Sequence, residues 1–279
     1  MLELLKALLQ GIVQGITEWL PISSTGHILL FNAVLPFKLS DDFFRLFKVV
    51  VQLGSILAVI VLYFRTLNPL APSKSRLQKR DTWNLWGKIL VASIPTGIAG
   101  LLLDDVVDEY LSIPPVIAAT LILYGVLFIV MESFPRRSRI LTVDQLSYKT
   151  AFLIGLFEAL ALIPGTSRSG ATILGAVLLG ATRTVSAEFS FFMAIPPMVG
   201  ASGLRLMKML LAGTSLTGIE WAALCLGTVV AFLVSLLVIR FLLRYIRKHN
   251  FKGFGCYRIA LGLVVLLCWG CGWLQGATA

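Results

Sequence analysis

The chain has 279 residues, of which 57% are hydrophobic and 14% charged, with a mean hydropathy of +0.89 and a formal net charge of +10. Soluble domains carry roughly 25% charged residues, so this chain lacks the polar surface to coat a water-soluble body of its size, and lipid must cover much of it. The positive charge does not argue for nucleic acid, because Lys and Arg gather in short loops between apolar segments and form no basic face.

In chain order, the N-terminus does not read as a cleaved signal, since Glu3, Lys6, Gln14 and Glu18 interrupt it. Residues 7–35 are apolar but broken by Pro21-Ile22-Ser23-Ser24-Thr25-Gly26-His27. Three spans are then predicted over about 46–64, 85–103 and 113–131. A second interrupted stretch, 150–182, is broken by Pro164-Gly165-Thr166-Ser167-Arg168-Ser169-Gly170. Three further spans follow over about 189–207, 221–239 and 257–275. All six approach the ~20 residues that a bilayer core demands of a helix. Pro95 and Pro196-Pro197 fall inside two of them, which a membrane bundle tolerates where neighbours satisfy the freed carbonyls. The four cysteines, Cys225, Cys256, Cys268 and Cys271, form no disulfide framework and read as buried small hydrophobes.

A polar break cannot face lipid with its backbone bare. Both interrupted stretches therefore read as re-entrant hairpins. Loop charge sets their sides. The 65–88 loop (Arg65, Lys74, Arg76, Lys79, Arg80 and Lys88 against Asp81), the 136–149 loop (Arg136, Arg137, Arg139, Lys149) and the 244–252 loop (Arg244, Arg247, Lys248, Lys252) are expected to be cytoplasmic. The 104–109 loop, with Asp104, Asp105, Asp108 and Glu109, is expected outside. Six spans then put both termini outside, with the first hairpin entering from outside and the second from the cytoplasm. A shift of 144 residues lays Gly11 on Gly155, Gln14 on Glu158, Ser23 on Ser167, Ser24 on Arg168, Thr25 on Ser169 and Gly26 on Gly170, and brings Gly54 near Gly200. The expected fold is an all-α integral membrane protein of about six transmembrane helices plus two re-entrant helical hairpins in an inverted-topology repeat. It forms a single membrane domain, 1–279, with halves at about 1–132 and 145–279. In such folds the broken helices meet near the midplane and build the site there.

The breaks carry the chemistry. Glu18 is an acid at membrane depth, a functional candidate by default, and Gln14 one turn earlier shares its helical face. Together they offer an oxygen-rich surface for a divalent cation or a proton. Ser23, Ser24 and Thr25 beside Gly26 put hydroxyls and free N–H groups at a helix start, a phosphate-binding arrangement. His27, three residues after Ser24, is suited to move a proton in phosphoryl or acyl transfer. His249, in a basic loop, reads as solvated. Arg168 in the second break suits phosphate by its planar fork, with Ser167, Ser169 and Thr172 as further donors. An ion pair from Arg168 to Glu18 or Glu158 is the structural reading of the same residues. Glu158 and Glu188 carry less weight as partners of Arg168 or of a cation.

With these motifs, the chain resembles the undecaprenyl-diphosphate phosphatase family, the bacitracin-resistance phosphatases. The most specific matches are Gln14-Gly15-Ile16-Thr17-Glu18-Trp19-Leu20-Pro21-Ile22-Ser23-Ser24-Thr25-Gly26-His27 and Pro164-Gly165-Thr166-Ser167-Arg168-Ser169-Gly170-Ala171-Thr172. Gln52-Leu53-Gly54-Ser55-Ile56-Leu57-Ala58-Val59 and Ser186-Ala187-Glu188-Phe189-Ser190-Phe191 add to them. The resemblance implies hydrolysis of undecaprenyl diphosphate to undecaprenyl phosphate and inorganic phosphate, recycling the carrier for peptidoglycan synthesis and conferring bacitracin resistance. It implies a divalent cation, Mg²⁺ or Ca²⁺, a bacterial cell-membrane location, and an active site reached from outside. Carried over by residue, Ser24, His27, Glu18 and Arg168 are catalytic and Ser167 and Thr172 bind phosphate; the breaks themselves add Ser23, Thr25 and Ser169 as expected phosphate donors, and Glu18, with Gln14 as a weaker neutral ligand, is expected to hold the metal. The family accepts Glu or Gln at the position of Gln14, and the amide here leaves one negative charge fewer. Expected partners are a polyprenyl diphosphate lipid and the bilayer, with no nucleic acid and with homodimerisation left open. A second reading is a polyprenyl-phosphate transporter or flippase using the same cavity. A third, a membrane scaffold, leaves Arg168 and Glu18 unexplained.

Overall fold

A computed structural model describes residues 1–134, 137–211 and 216–274, without the side chains of Asp41, Asp42, Arg45, Asp104, Asp105, Asp108 and Leu210. The chain forms α1 (Leu2–Thr17), α2 (Ser24–Val34), α3 (Asp41–Leu62), α4 (Phe64–Leu67), α5 (Arg76–Val106), α6 (Pro114–Ser133), α7 (Tyr148–Ala159), α8 (Arg168–Leu178), α9 (Arg183–Met193), α10 (Ile195–Leu211), α11 (Gly218–Lys248) and α12 (Lys252–Gly270). Among the described residues the only β feature is a parallel bridge between Ile140 and Ala181. Side-chain caps start several helices. Ser40 accepts from the Phe43 N–H ahead of α3, and Thr217 and Glu220 form a reciprocal capping box ahead of α11.

The protein is an all-α, multi-pass membrane protein. Among the described residues, five helical stretches are long and apolar enough to cross a bilayer: Arg76–Leu103, Pro114–Ser133, Arg183–Met209, Gly218–Lys248 and Lys252–Gly270. The remaining predicted span, 46–64, lies in α3, whose apolar part, Leu46–Leu62, is shorter. Large apolar side chains such as Leu101, Leu102, Leu237 and Leu267 stand on the outside of the bundle, a surface that water would not tolerate over so wide an area.

Both interrupted stretches fold as helix, break, helix: α1 then α2, and α7 then α8. At each break a serine caps the returning helix with a positive φ, 72° at Ser23 and 68° at Ser167. These are the non-glycine residues with positive φ among those described, and they are the pair that the 144-residue shift aligns. The left-handed region costs an L residue about 1–2 kcal/mol, so the chain keeps the same strained turn twice. The glycines aligned in the preceding helices also correspond. Gly11 admits the Gly227 carbonyl of α11, and Gly155 admits the Ala92 carbonyl of α5.

The two stretches enter from opposite ends of the bundle. α1 runs alongside α11 in the same sense, with Gly11 against Gly227 and Gly15 against Ala231. α7 runs alongside α5 in the same sense, with Tyr148 near Gly87 and Glu158 bonded to Thr96. α3 begins beside the start of α11, where Ser40 bonds Glu220, and leads through α4 to the start of α5, where Trp86 donates to the Leu67 carbonyl. α5 and α11 therefore point in opposite directions. Between them α6 and α12 cross with reciprocal contacts. A Cβ on Gly125 would stand 2.7 Å from the Gly255 carbonyl oxygen, and a Cβ on Gly255 2.7 Å from the Gly125 carbonyl oxygen. Only glycine allows backbones this close.

Several expectations need correction. Residues 104–111 are not a loop: α5 continues to Val106 and a π-helical turn covers Val107–Leu111. The acidic side chains Asp104, Asp105 and Asp108, and Arg136 of the basic loop, lie outside the described residues, as does the end of the last predicted span beyond Leu274. The 65–88 loop is shorter than read, because α5 starts at Arg76 and takes in Lys79, Arg80 and Lys88. Lys88 is buried and donates to the Asp144 carbonyl. The 189–207 span is divided at Ala194, just ahead of Pro196-Pro197, where the prolines withhold amide donors. Gly54 and Gly200 are not equivalent: Gly54 packs on the Thr228 carbonyl, whereas Gly200 borders open space. The cysteines are free and mostly not buried. Cys225, Cys256 and Cys271 are on the outer surface and Cys268 is partly covered, because they occupy the helix faces turned away from the core.

Candidate functional site

The two breaks meet in the bundle interior, and a single ion pair joins them. Arg168, the first residue of α8, donates from Nη2 to Glu18 Oε1 at 3.2 Å. Both side chains are largely buried, at 14% and 5% side-chain exposure. A charge at membrane depth persists only with a partner, and each supplies the other's. Arg168 also donates from Nη1 to the Ser190 carbonyl (2.9 Å) and lies over the Trp19 ring, 5.6 Å from its centroid. Its Nε is buried without a partner among the described residues.

Glu18 is held from its other oxygen. Oε2 accepts from Gln14 Nε2 (2.9 Å), the one-turn pair read from the sequence, and from Ser24 Oγ (3.3 Å). Gln14 turns its amide oxygen to a buried space where it finds no donor among the described residues. The hydroxyls have separate tasks. Ser169 Oγ bridges the halves, bonding the carbonyls of Glu18 (3.1 Å) and Leu20 (3.2 Å). Ser167 Oγ caps α8 by accepting from the Gly170 N–H and contacts Ser169 Oγ. Thr172 bonds back to the Arg168 carbonyl and meets Ser190 Oγ at 2.6 Å, deep in the core. The Ser23 hydroxyl is fully buried and has no partner among the described residues, and Thr25 stands half-buried on the first turn of α2.

His27 is close to this cluster in sequence but is bonded elsewhere. Its Nδ1 lies 2.7 Å from the Ser23 carbonyl, which can only accept, so Nδ1 carries the hydrogen. Nε2 then accepts from the Tyr257 hydroxyl on α12 at 2.7 Å, with the two rings parallel. The base of this imidazole faces Tyr257, and the acceptor nearest the Ser24 hydroxyl is the carboxylate of Glu18. Glu158 is buried and bonded by Thr96 Oγ1 (3.0 Å). Glu188 belongs to another neighbourhood, on α9 beside the Tyr63 hydroxyl. His249 is exposed in the basic turn before α12.

Arg258 is the residue that reading the sequence missed. It is fully buried on α12 and donates from Nη1 to the Pro21 carbonyl (3.2 Å) and from Nη2 to the Gly165 and Thr166 carbonyls (both 2.8 Å). The exposed backbone of both breaks is thus satisfied by one guanidinium, which also lies over the Tyr124 ring. A bare arginine inside an apolar span was the available signal.

Among the described residues no three His, Cys, Asp or Glu side chains cluster as a self-sufficient metal site. A cavity of about 380 Å³, lined by Glu132, Arg137, Arg183 and Arg247 among others, shares no residue with the Arg168–Glu18 centre.

Known proteins are similar to this chain along most of its length. The sequence profile of the bacitracin resistance protein BacA matches residues 7–264. The undecaprenyl-diphosphatase of Lactiplantibacillus plantarum is 55% identical over 268 residues, covering 95% of this chain and 98% of that protein. Undecaprenyl-diphosphatase 1 of Clostridioides difficile is 53% identical, covering 95% and 96%, and the undecaprenyl-diphosphatase of Streptococcus thermophilus is 53% identical, covering 95% and 93%. With a profile match over nearly its whole length and relatives that share half its residues, the chain belongs to the bacitracin resistance protein BacA family.

Proposed function

We propose that this chain is an undecaprenyl-diphosphate phosphatase of the bacterial cell membrane, hydrolysing the lipid carrier's diphosphate to monophosphate and inorganic phosphate. This returns the carrier to peptidoglycan synthesis and underlies bacitracin resistance. The observation that carries the proposal is the buried Arg168–Glu18 pair between two backbone breaks. It pairs a phosphate-binding fork with a carboxylate at the depth where a polyprenyl tail would stay in lipid.

Phosphoryl transfer needs positioning and charge neutralisation above all. Arriving phosphate would take the Arg168 fork from Glu18, and the N–H groups at the start of α8 would add donors. Released, Glu18 and the unpartnered Gln14 oxygen would form the protein's share of a divalent-cation site. That fits Mg²⁺, which usually binds through one or two carboxylates together with substrate phosphates; Ca²⁺ is the alternative. Bound there, the cation would neutralise charge on the diphosphate oxygens. Ser24 Oγ, donating to Glu18 Oε2, would attack the terminal phosphorus or orient the water that does, with Glu18 accepting the proton as the bridging P–O bond breaks and the lipid monophosphate leaves; after attack by Ser24, water would hydrolyse the phosphoserine to release inorganic phosphate. His27 would exchange protons through Nε2 and Tyr257. Ser23, Thr25, Ser167, Ser169 and Thr172 shape the phosphate pocket, with Ser169 and Thr172 acting chiefly on its backbone.

The fold reading that goes with this is one membrane domain of two inverted halves, about 1–132 and 145–279, whose site opens to the outside. The repeated serine turns and the reciprocal Gly125–Gly255 crossing support it. The test is phosphate release from a polyprenyl diphosphate by purified protein in detergent, with and without chelator. Release that chelator abolishes supports the proposal. No release, where no second compartment exists, favours a flippase.

A further inference from the structure

We propose that the cavity at the far end of α8 from Arg168 is a binding site for the phosphate of an anionic phospholipid, separate from the hydrolytic centre. The ends of four helices meet there: the last turns of α6, α8 and α11 and the first turn of α9. Three arginines from three segments line it, against one acid, Glu132. They are Arg137 after α6, Arg183 at the start of α9 and Arg247 in the last turn of α11. The acid is already occupied. Both its oxygens accept from Arg183, Oε1 from Nε at 2.8 Å and Oε2 from Nη2, and Oε1 also takes the Phe251 N–H at 3.1 Å. Among the described residues the guanidinium groups of Arg137 and Arg247 donate no hydrogen bond, and Arg183 keeps Nη1 free. Helix dipoles account for Arg247, since a helix C-terminus favours a cation, but not for Arg183, since a helix start favours an anion.

The lining selects the ligand. Its surplus positive charge calls for an anion, and the guanidinium fork fits phosphate. Phe134, Leu178 and Ile246 make the rest of the wall apolar. A free anion would leave those side chains uncovered, whereas the glycerol and first methylenes of a lipid would cover them. Phe134 is exposed on the outside of the bundle, so the cavity borders the surface that lipid occupies. It lies where the membrane-crossing helices α6 and α11 end, the depth of the headgroups. Its volume of about 380 Å³ falls in the range of about 300–1,000 Å³ usual for small-ligand sites. Basic pockets between membrane helices take anionic headgroups on these same grounds.

The test is native mass spectrometry of the full-length protein in detergent, titrated with phosphatidylglycerol, phosphatidylcholine or inorganic phosphate. We expect phosphatidylglycerol to bind about tenfold or more tighter than phosphatidylcholine, the worth of one charged hydrogen bond. Arg137→Gln with Arg247→Gln should lower phosphatidylglycerol affinity by about tenfold or more. Lys149→Gln with Lys248→Gln removes the same charge from exposed positions outside the cavity. That control should change affinity by less than about threefold, because exposed charges act through screening solvent. Equal losses in the two double variants would overturn the proposal in favour of general surface attraction. Phosphatidylcholine binding as tightly as phosphatidylglycerol would overturn it too. Inorganic phosphate binding as tightly as phosphatidylglycerol, and lost in the arginine pair alone, would replace the lipid with a free anion. Should the arginine pair unfold, Arg137→Ala alone carries the test: a loss of about threefold or more supports the site, and no loss overturns it.

Discussion

The two breaks share one backbone and divide the chemistry. Each ends in a serine at positive φ that starts a returning helix, yet the first presents Gln14, Glu18, Ser24 and His27, and the second presents Glu158 and Arg168. The first is net acidic, whereas the second pairs an acid with a base. Two similar serine turns therefore supply geometry, and their different side chains set the Glu18 carboxylate and the Ser24 hydroxyl opposite the Arg168 guanidinium. The serines differ in the same way. Ser167 uses its hydroxyl to cap α8, whereas Ser23 buries its hydroxyl without a partner.

The division of labour is sharpest in the ion pair. Arg168→Ala and Glu18→Ala should each reduce phosphate release by about two decades or more, the usual loss on removing a preorganised charge. Arg168→Lys should recover little, since an ammonium lacks the planar fork. Either variant near the wild-type rate would break the comparison. Next comes the residue common to both breaks. Arg258→Met would leave three buried carbonyls without this donor and should lower stability by about 2–4 kcal/mol, measured by thermal unfolding in detergent. An unchanged midpoint would mean that the breaks do not depend on it. Smaller still is the effect at His27: Tyr257→Phe removes the donor to Nε2 and should reduce turnover by about tenfold or less while sparing diphosphate binding, as expected of a group acting in proton transfer. Weakened binding would place His27 on the phosphate instead. The mildest is the serine pair. Ser23→Gly should be more stable than Ser167→Gly by about 1 kcal/mol, because both relieve the positive φ but only the second loses a hydrogen bond. Equal midpoints would erase the distinction between the two turns.

Much of this was legible in the chain. The breaks, Gln14 with Glu18, and Arg168 follow from polar residues set in apolar runs, where physical cost makes each conspicuous. What stayed hidden depends on distance along the chain. Tyr257 is remote in sequence from His27, and nothing local announces that it takes the imidazole nitrogen. Arg258 stands out as a charge within the last apolar span, but its acceptors, the carbonyls of Pro21, Gly165 and Thr166, are far from it in sequence. The acidic stretch after residue 103 looks like a loop by charge, yet its backbone continues as helix, because hydrogen bonding along the chain does not end where hydropathy does. The cysteines were misplaced for a related reason. In a bilayer an apolar face can point outward as readily as inward, so hydrophobicity no longer distinguishes core from surface.

The grip of Arg258 on carbonyls from both breaks has a mechanical consequence. A carrier that drew the first break away from the second would have to pull the Pro21 carbonyl off a buried guanidinium on every cycle. A stationary chamber never meets that barrier: its cargo's headgroup moves in and out while the walls, pinned by one cationic keystone, stay where they are.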